Sequence, residues 1–247
     1  MKIFLFGQKS FGAAVLKRLI EGRHTITGVA VPEPGQYYDK AHVLATKEKL
    51  PVFHAERIVS KDIPAETELI VAAHSHHFIS EKALQKTRHG GIGYHPSALP
   101  RHRGRDAVRW TVAMKDPITA GTVYWLDNRV DGGDIFTQRF IHVSPSEDHH
   151  ALWRRLFDIG VDMLSAAVAA VGIGCILREP QDSAYATWEP PFDPGARLHR
   201  PELLAISGAA RQPERNPLCA HGLWECPNNE PKCDSSCEWF NGRLDNA

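Results

Sequence analysis

The sequence of 247 residues has no long apolar run, no excess of charge of either sign and, through most of its length, almost no cysteine. No stretch approaches the roughly 20 apolar residues of a membrane span, so a helical membrane protein is not expected. The apolar opening, residues 1–7, is too short for a signal peptide and lacks a small-residue cleavage site. A cytoplasmic location is expected. Twenty-nine basic side chains balance 29 acidic ones, and most of the 14 histidines are neutral at pH 7. That balance argues against a protein that grips long nucleic acid by bulk electrostatics. Cys175 stands alone in the body of the chain, while Cys219, Cys226, Cys233 and Cys237 crowd near its end. A cytosolic body so poor in cysteine needs no disulfides. The hydrophobic fraction of 43 % is enough for a sizeable core, which excludes a disordered or fibrous chain.

What is present alternates. Residues 2–6 are an apolar run ending at Gly7, followed by a helical pattern in which Ala13, Val15, Leu16, Leu19 and Ile20 share a broad face before Gly22. Residues 26–31, 51–53, 69–73 and 91–94 read as further strands, with helices over 42–49 and 80–85. Strands alternating with helices at this spacing predict a Rossmann-like, doubly wound and mostly parallel α/β sheet. Beyond Pro100, residues 122–126 and 135–143 are strand-like around a turn-rich segment and suit an antiparallel edge; residues 151–170 predict a long helix capped by Asp148. From Pro180 proline and glycine accumulate, which reads as irregular chain leaving the domain. The expected organisation is a catalytic domain over 1–190, an irregular linker over 191–215 and a Cys-rich tail over 216–247.

The loop from Gly7 to Gly12 lacks both the full dinucleotide fingerprint and the lysine of a P-loop. It reads as a tight strand-to-helix turn, and NAD or ATP is not expected. The informative stretch is His95-Pro96-Ser97-Ala98-Leu99-Pro100-Arg101-His102-Arg103-Gly104. His95 falls at the C-terminal end of a strand, where open α/β sheets place ligands, and two prolines stiffen the loop after it. Asp131-Gly132-Gly133-Asp134 follows, with Asp131 thirty-six residues beyond His95.

Together these two stretches resemble the formyltransferase family that uses 10-formyltetrahydrofolate, whose pattern is H-P-S-x-L-P-x-x-R-G and then an aspartate in D-x-G-D. The resemblance runs from Met1 to about Pro191 and is strongest toward the amino-terminal hydrolase domain of 10-formyltetrahydrofolate dehydrogenase, through Phe6-Gly7-Gln8, Phe78-Ile79, Arg88-His89-Gly90 and Tyr94-His95-Pro96-Ser97. It implies catalysis by His95 and Asp131, with Ser97 orienting His95 or satisfying the loop backbone. Phe78, Ile79, Gly93, Tyr94 and Leu99 are implied to contact the folate, as are Arg103, Gly104, Asp127, Gly132 and Gly133. Asp134 reads as structural. One position departs from the pattern: amino-group formyltransferases carry asparagine two residues before the histidine, and this chain has Gly93. Loss of one oxyanion donor costs on the order of 10²–10³ in rate, so Gly93 shifts weight toward a hydrolase.

The implied chemistry is attack of an amine, or of water, on the formyl carbon. His95 would stabilise the oxyanion and help the folate nitrogen leave, while Asp131 would accept the nucleophile's proton. The implied reactants are 10-formyltetrahydrofolate as donor and a small-molecule amine or water as acceptor; a homodimer is left open, and a membrane or nucleic-acid partner is not expected. A catalytically silent folate-binding or partner-binding protein is the third reading. Arg101, Arg103, Arg105 and Arg109 read either as capture of an acceptor's phosphate or carboxylate or as a solvated face. His74, His76 and His77 read as a wall of the folate pocket rather than metal ligands. The four clustered cysteines of the tail read as ligands of zinc or an iron–sulfur cluster, as reduced thiols, or as two disulfides.

Overall fold

The computed structural model describes residues 1–35, 38–56 and 58–192. The apolar runs become strands β1 (Lys2–Gly7), β2 (Thr25–Val31), β3 (Val52–His54), β4 (Leu69–Ala73) and β5 (Gly91–His95), followed by β6 (Ile118–Trp125) and β7 (Ile135–His142). They form one seven-stranded sheet in the order β3-β2-β1-β4-β5-β6-β7. The first five strands are parallel, and β6 and β7 add the antiparallel edge. This is the doubly wound, mostly parallel sheet the alternation predicts.

Helices α1 (Lys9–Glu21), α2 (Lys40–Lys47) and α5 (His149–Gly172) pack on one face of the sheet. The heptad-like stripe of α1 buries Phe11, Val15, Leu16 and Leu19 against Ile3, Leu5 and Val71. Each such side chain contributes about 1.5–3 kcal/mol relative to exposure. Gly12 is required at the β1–α1 turn, where a Cβ would lie 2.8 Å from the carbonyl carbon of Gly7. The tight turn expected there is what the chain makes. The other face is thinner: Phe4, Phe6 and Ile70 are covered by Ile63, Ile79 and by α3 (Glu81–Gln85). Asp148 caps α5 as expected, its Oδ1 accepting from the Ala151 amide at 2.7 Å.

Two features differ from the sequence expectation. A short helix α4 (Ala107–Ala113) follows the motif loop and packs Val108 and Val112 beside Leu152 and Leu156 of α5; at seven residues it is too brief to show a helical period. The chain after α5 does not leave the domain at Pro180. Glu179 pairs with Ile135, Arg103 pairs with Trp188, and the Trp110 indole donates to the Pro190 carbonyl at 2.9 Å. Residues 179–192 are irregular, yet they form a strap across the end of the sheet that carries the motif loops. No helix among the described residues is long and apolar enough to cross a membrane.

Candidate active site

His95 is the last residue of β5 and is 6 % exposed. Its Nε2 lies 2.6 Å from the carbonyl oxygen of His102, and its Nδ1 lies 3.4 Å from Asp131 Oδ2. Both ring nitrogens therefore face oxygen acceptors. A carbonyl can only accept, so Nε2 carries a proton and donates it, and Nδ1 is the nitrogen beside Asp131.

Asp131 stands in the left-handed region, φ 48°, at the tip of the β6–β7 turn. Its Oδ2 also accepts from the Gly104 amide at 2.7 Å, and its Oδ1 accepts from the Tyr124 hydroxyl at 2.5 Å. Burial first, and then the charge of Asp131, push the Tyr124 phenol well above its ordinary value, so it remains a donor. Gly133 cannot be replaced without moving the turn, because a Cβ would lie 1.8 Å from the Trp125 carbonyl oxygen. The turn presents a carboxylate that Gly104, Tyr124 and His95 all approach.

The loop between His95 and Gly104 is held from within. Ser97 is fully buried, its hydroxyl donates to the Arg101 carbonyl at 2.6 Å, and its own carbonyl accepts from Thr122. The one hydroxyl proton of Ser97 is directed to the Arg101 carbonyl, the arrangement the loop-backbone alternative describes. His102 lies between two carboxylates, with Nε2 2.7 Å from Asp116 Oδ2 and Nδ1 3.0 Å from Glu189 Oε1. Burial alone would depress this imidazole, but the two carboxylates outweigh it and raise its pKa.

The remaining expected contacts divide. Gly104, at φ 86°, supplies its amide to Asp131. Phe78 is 67 % exposed beyond the end of β4, free to meet a ligand, whereas Ile79 is buried with Phe4 and Phe6 in the core. Tyr94 also turns out to be core: it points to the opposite face from His95, stacks on Phe11 at 5.2 Å and donates to the Leu156 carbonyl. Leu99 is buried and its carbonyl accepts from Gln138. Arg103 is 4 % exposed and forks onto Gln181 Oε1 at 3.0 and 2.7 Å, so it fixes the loop rather than forming part of an open cationic face. Asp127 is engaged by Arg129, and Gly132 packs against the Arg129 side chain. Arg101 lies 3.3 Å from Asp116, and Arg109 3.6 Å from Asp106. His74, meeting the rings of His76 and Trp153 edge-on, has its pKa pushed down to about 4 by burial and then by His76 and Lys9, and is neutral at pH 7. Cys219, Cys226, Cys233 and Cys237 lie outside the described residues.

Gly93 stands directly across from Tyr124 in the β5–β6 register. A Cβ there would lie 3.0 Å from Leu126 Cδ2 and 3.3 Å from the Tyr124 ring. A side chain there would be a tight fit that asks Leu126 or Tyr124 to give by a few tenths of an ångström. Sequence reading missed Tyr124, Gln181 and Glu189; for Tyr124 the only signal was its place opposite Gly93 once the antiparallel edge is paired.

Residues 1–168 match the formyl transferase family. The chain belongs to that family. Cytosolic 10-formyltetrahydrofolate dehydrogenase of Xenopus laevis is 35 % identical over 202 residues, which is 77 % of this chain and 22 % of that protein. The formyl transferase chain thus spans about a fifth of the length of that relative. Among solved structures, glycinamide ribonucleotide transformylase 1 from Symbiobacterium toebii superposes with a TM-score of 0.62 at 18 % identity, covering 73 % of this chain and 93 % of that one. The N-formyltransferase from Helicobacter canadensis, solved in complex with folinic acid and dTDP-3-aminofucose, superposes with a TM-score of 0.61 at 12 % identity, covering 76 % of this chain and 70 % of that one. These two likenesses establish the fold.

Proposed function

We propose that this formyl transferase takes 10-formyltetrahydrofolate as donor and transfers its formyl group to the amine of a small molecule. The observation that carries the reading is the pairing of His95 Nδ1 with Asp131 Oδ2 at 3.4 Å, with the far side of each group already anchored. That gap is longer than an ordinary hydrogen bond, as catalytic contacts often are without substrate. A formyl group seated at this edge meets both groups. The amine attacks the formyl carbon, the carbonyl electron pair moves to oxygen, which accepts a hydrogen bond from His95 Nδ1 with that nitrogen also protonated, and the amine proton passes to Asp131 directly or through water. Collapse re-forms the carbonyl and breaks the bond to the folate nitrogen, which takes the proton that Asp131 accepted, directly or through water, and tetrahydrofolate leaves. Phe78, exposed beyond the end of β4, is available to the pterin. The dehydrogenase relative and the folinic acid in the Helicobacter complex support folate as the donor class.

Hydrolysis of 10-formyltetrahydrofolate to formate and tetrahydrofolate is the second reading, favoured by Gly93 and by Leu126 and Tyr124 crowding its Cβ direction. Incubation with 10-formyltetrahydrofolate alone separates the two. Transfer predicts tetrahydrofolate release only when an amine pool is added; rapid release without amine contradicts it and selects hydrolysis.

A further inference from the structure

Gln181 reaches both motif loops with one side chain. Its Oε1 accepts from Arg103 Nε and Nη2, and its Nε2 donates to the Asp131 carbonyl at 2.9 Å and to the Gly133 carbonyl at 2.7 Å. Reversing the amide would set nitrogen against guanidinium and oxygen against two carbonyls, so this orientation is the only one that pairs donors with acceptors. The backbone on either side is pinned as well. Glu179 exchanges two hydrogen bonds with Ile135, just after the Asp131 turn, and Arg103 donates its amide to the Thr187 carbonyl at 2.9 Å.

Resting on the proposed transfer chemistry, we infer that Gln181 is a positioning residue that sets the distance between Asp131 and His95. The connection is continuous. His95 is held on the His102 carbonyl, Arg103 follows His102, Arg103 is forked onto Gln181, and Gln181 holds the two carbonyls of the turn that aims Asp131. Asp131 sits at φ 48°, in the left-handed region that side-chain-bearing residues populate sparsely, and the carbonyls of its turn are held by a partner from outside the turn. Gln181, on the strap, is that partner.

Gln181→Leu keeps the bulk and removes all four hydrogen bonds. A shift of the carboxylate by about 1 Å lowers turnover on the order of 10²-fold, so kcat should fall between about tenfold and a hundredfold. Donor KM should stay within about threefold, because a residue that acts by aiming Asp131 changes turnover rather than donor binding. In an Asp131→Asn background the same change should alter residual turnover by less than about twofold, since it acts through Asp131. A merely structural role would instead multiply through both backgrounds. A readout independent of turnover is hydrogen exchange of the Gly104 amide, which Asp131 Oδ2 accepts. It should quicken by about tenfold or more in Gln181→Leu while the amides of β1 and β4 are unchanged. Unaltered Gly104 protection, near wild-type kcat, or a full loss repeated in Asp131→Asn overturns the inference. Absence of any turnover in the unmutated protein would count against the transfer reading, and Gly104 exchange would still decide the role of Gln181.

Discussion

At Asp131 a single carboxylate is approached by a tyrosine hydroxyl, a glycine amide and an imidazole, on a turn whose backbone is left-handed. Tyr124 holds Oδ1 and leaves Oδ2 facing His95. Tyr124→Phe removes that one donor without changing the shape that crowds Gly93, so the fold should be retained. A hydrogen bond to a charged group is worth about 1.5–3 kcal/mol, and loss of that alignment should lower kcat by about tenfold or more. Steady-state kinetics beside a melting curve checks this; an unchanged kcat would mean that Tyr124 does not orient Asp131. His95, Asp131 and Gly104 stood out through the resemblance of their two motifs to the formyltransferase pattern, and the structure brings the three together. Tyr94 and Ile79 could not be told from ligand contacts, since a motif does not say which face of a strand or loop turns to the core.

Among the elements, the strap over 179–192 carries the least regular structure and makes contacts with both motif loops. Its Glu189 is buried beside His102, whose other nitrogen meets Asp116. Because these carboxylates raise the folded pKa of His102, its charged form stabilises the fold fully below pH about 6.5. That contribution is lost as the pH rises through the raised folded value. Urea unfolding followed from pH 6 to pH 9 should show this fall, and His102→Gln should flatten it. Breaking such a buried pair costs about 3–5 kcal/mol, so the variant should also be less stable at pH 6. Parallel pH profiles for the two proteins would contradict the assignment. Proline and glycine density after Pro180 signals irregular backbone correctly, but irregular chain can still pack. Its backbone-to-backbone partners are Pro100, Arg103 and Ile135, distant residues that no local pattern reveals.

Across the whole molecule, five parallel strands and an antiparallel edge bring two loops together that are distant in sequence. The alternation of buried runs and amphipathic helices made this sheet legible, since each element carries its own period. Helix α4 and the early start of β6 at Ile118 were not legible, the first for its brevity and the second because Ile118 is exposed at the strand's end. The sheet exists in many chemistries, so the function rests on the site it builds. The central claim is that His95 and Asp131 act as one acid–base unit on a folate-borne formyl group. Asp131→Asn keeps the shape and removes the proton acceptor. General acid–base assistance is worth about 10²–10⁴-fold, so turnover of 10-formyltetrahydrofolate should fall at least a hundredfold while the donor still binds. Near-normal turnover by Asp131→Asn would contradict the account.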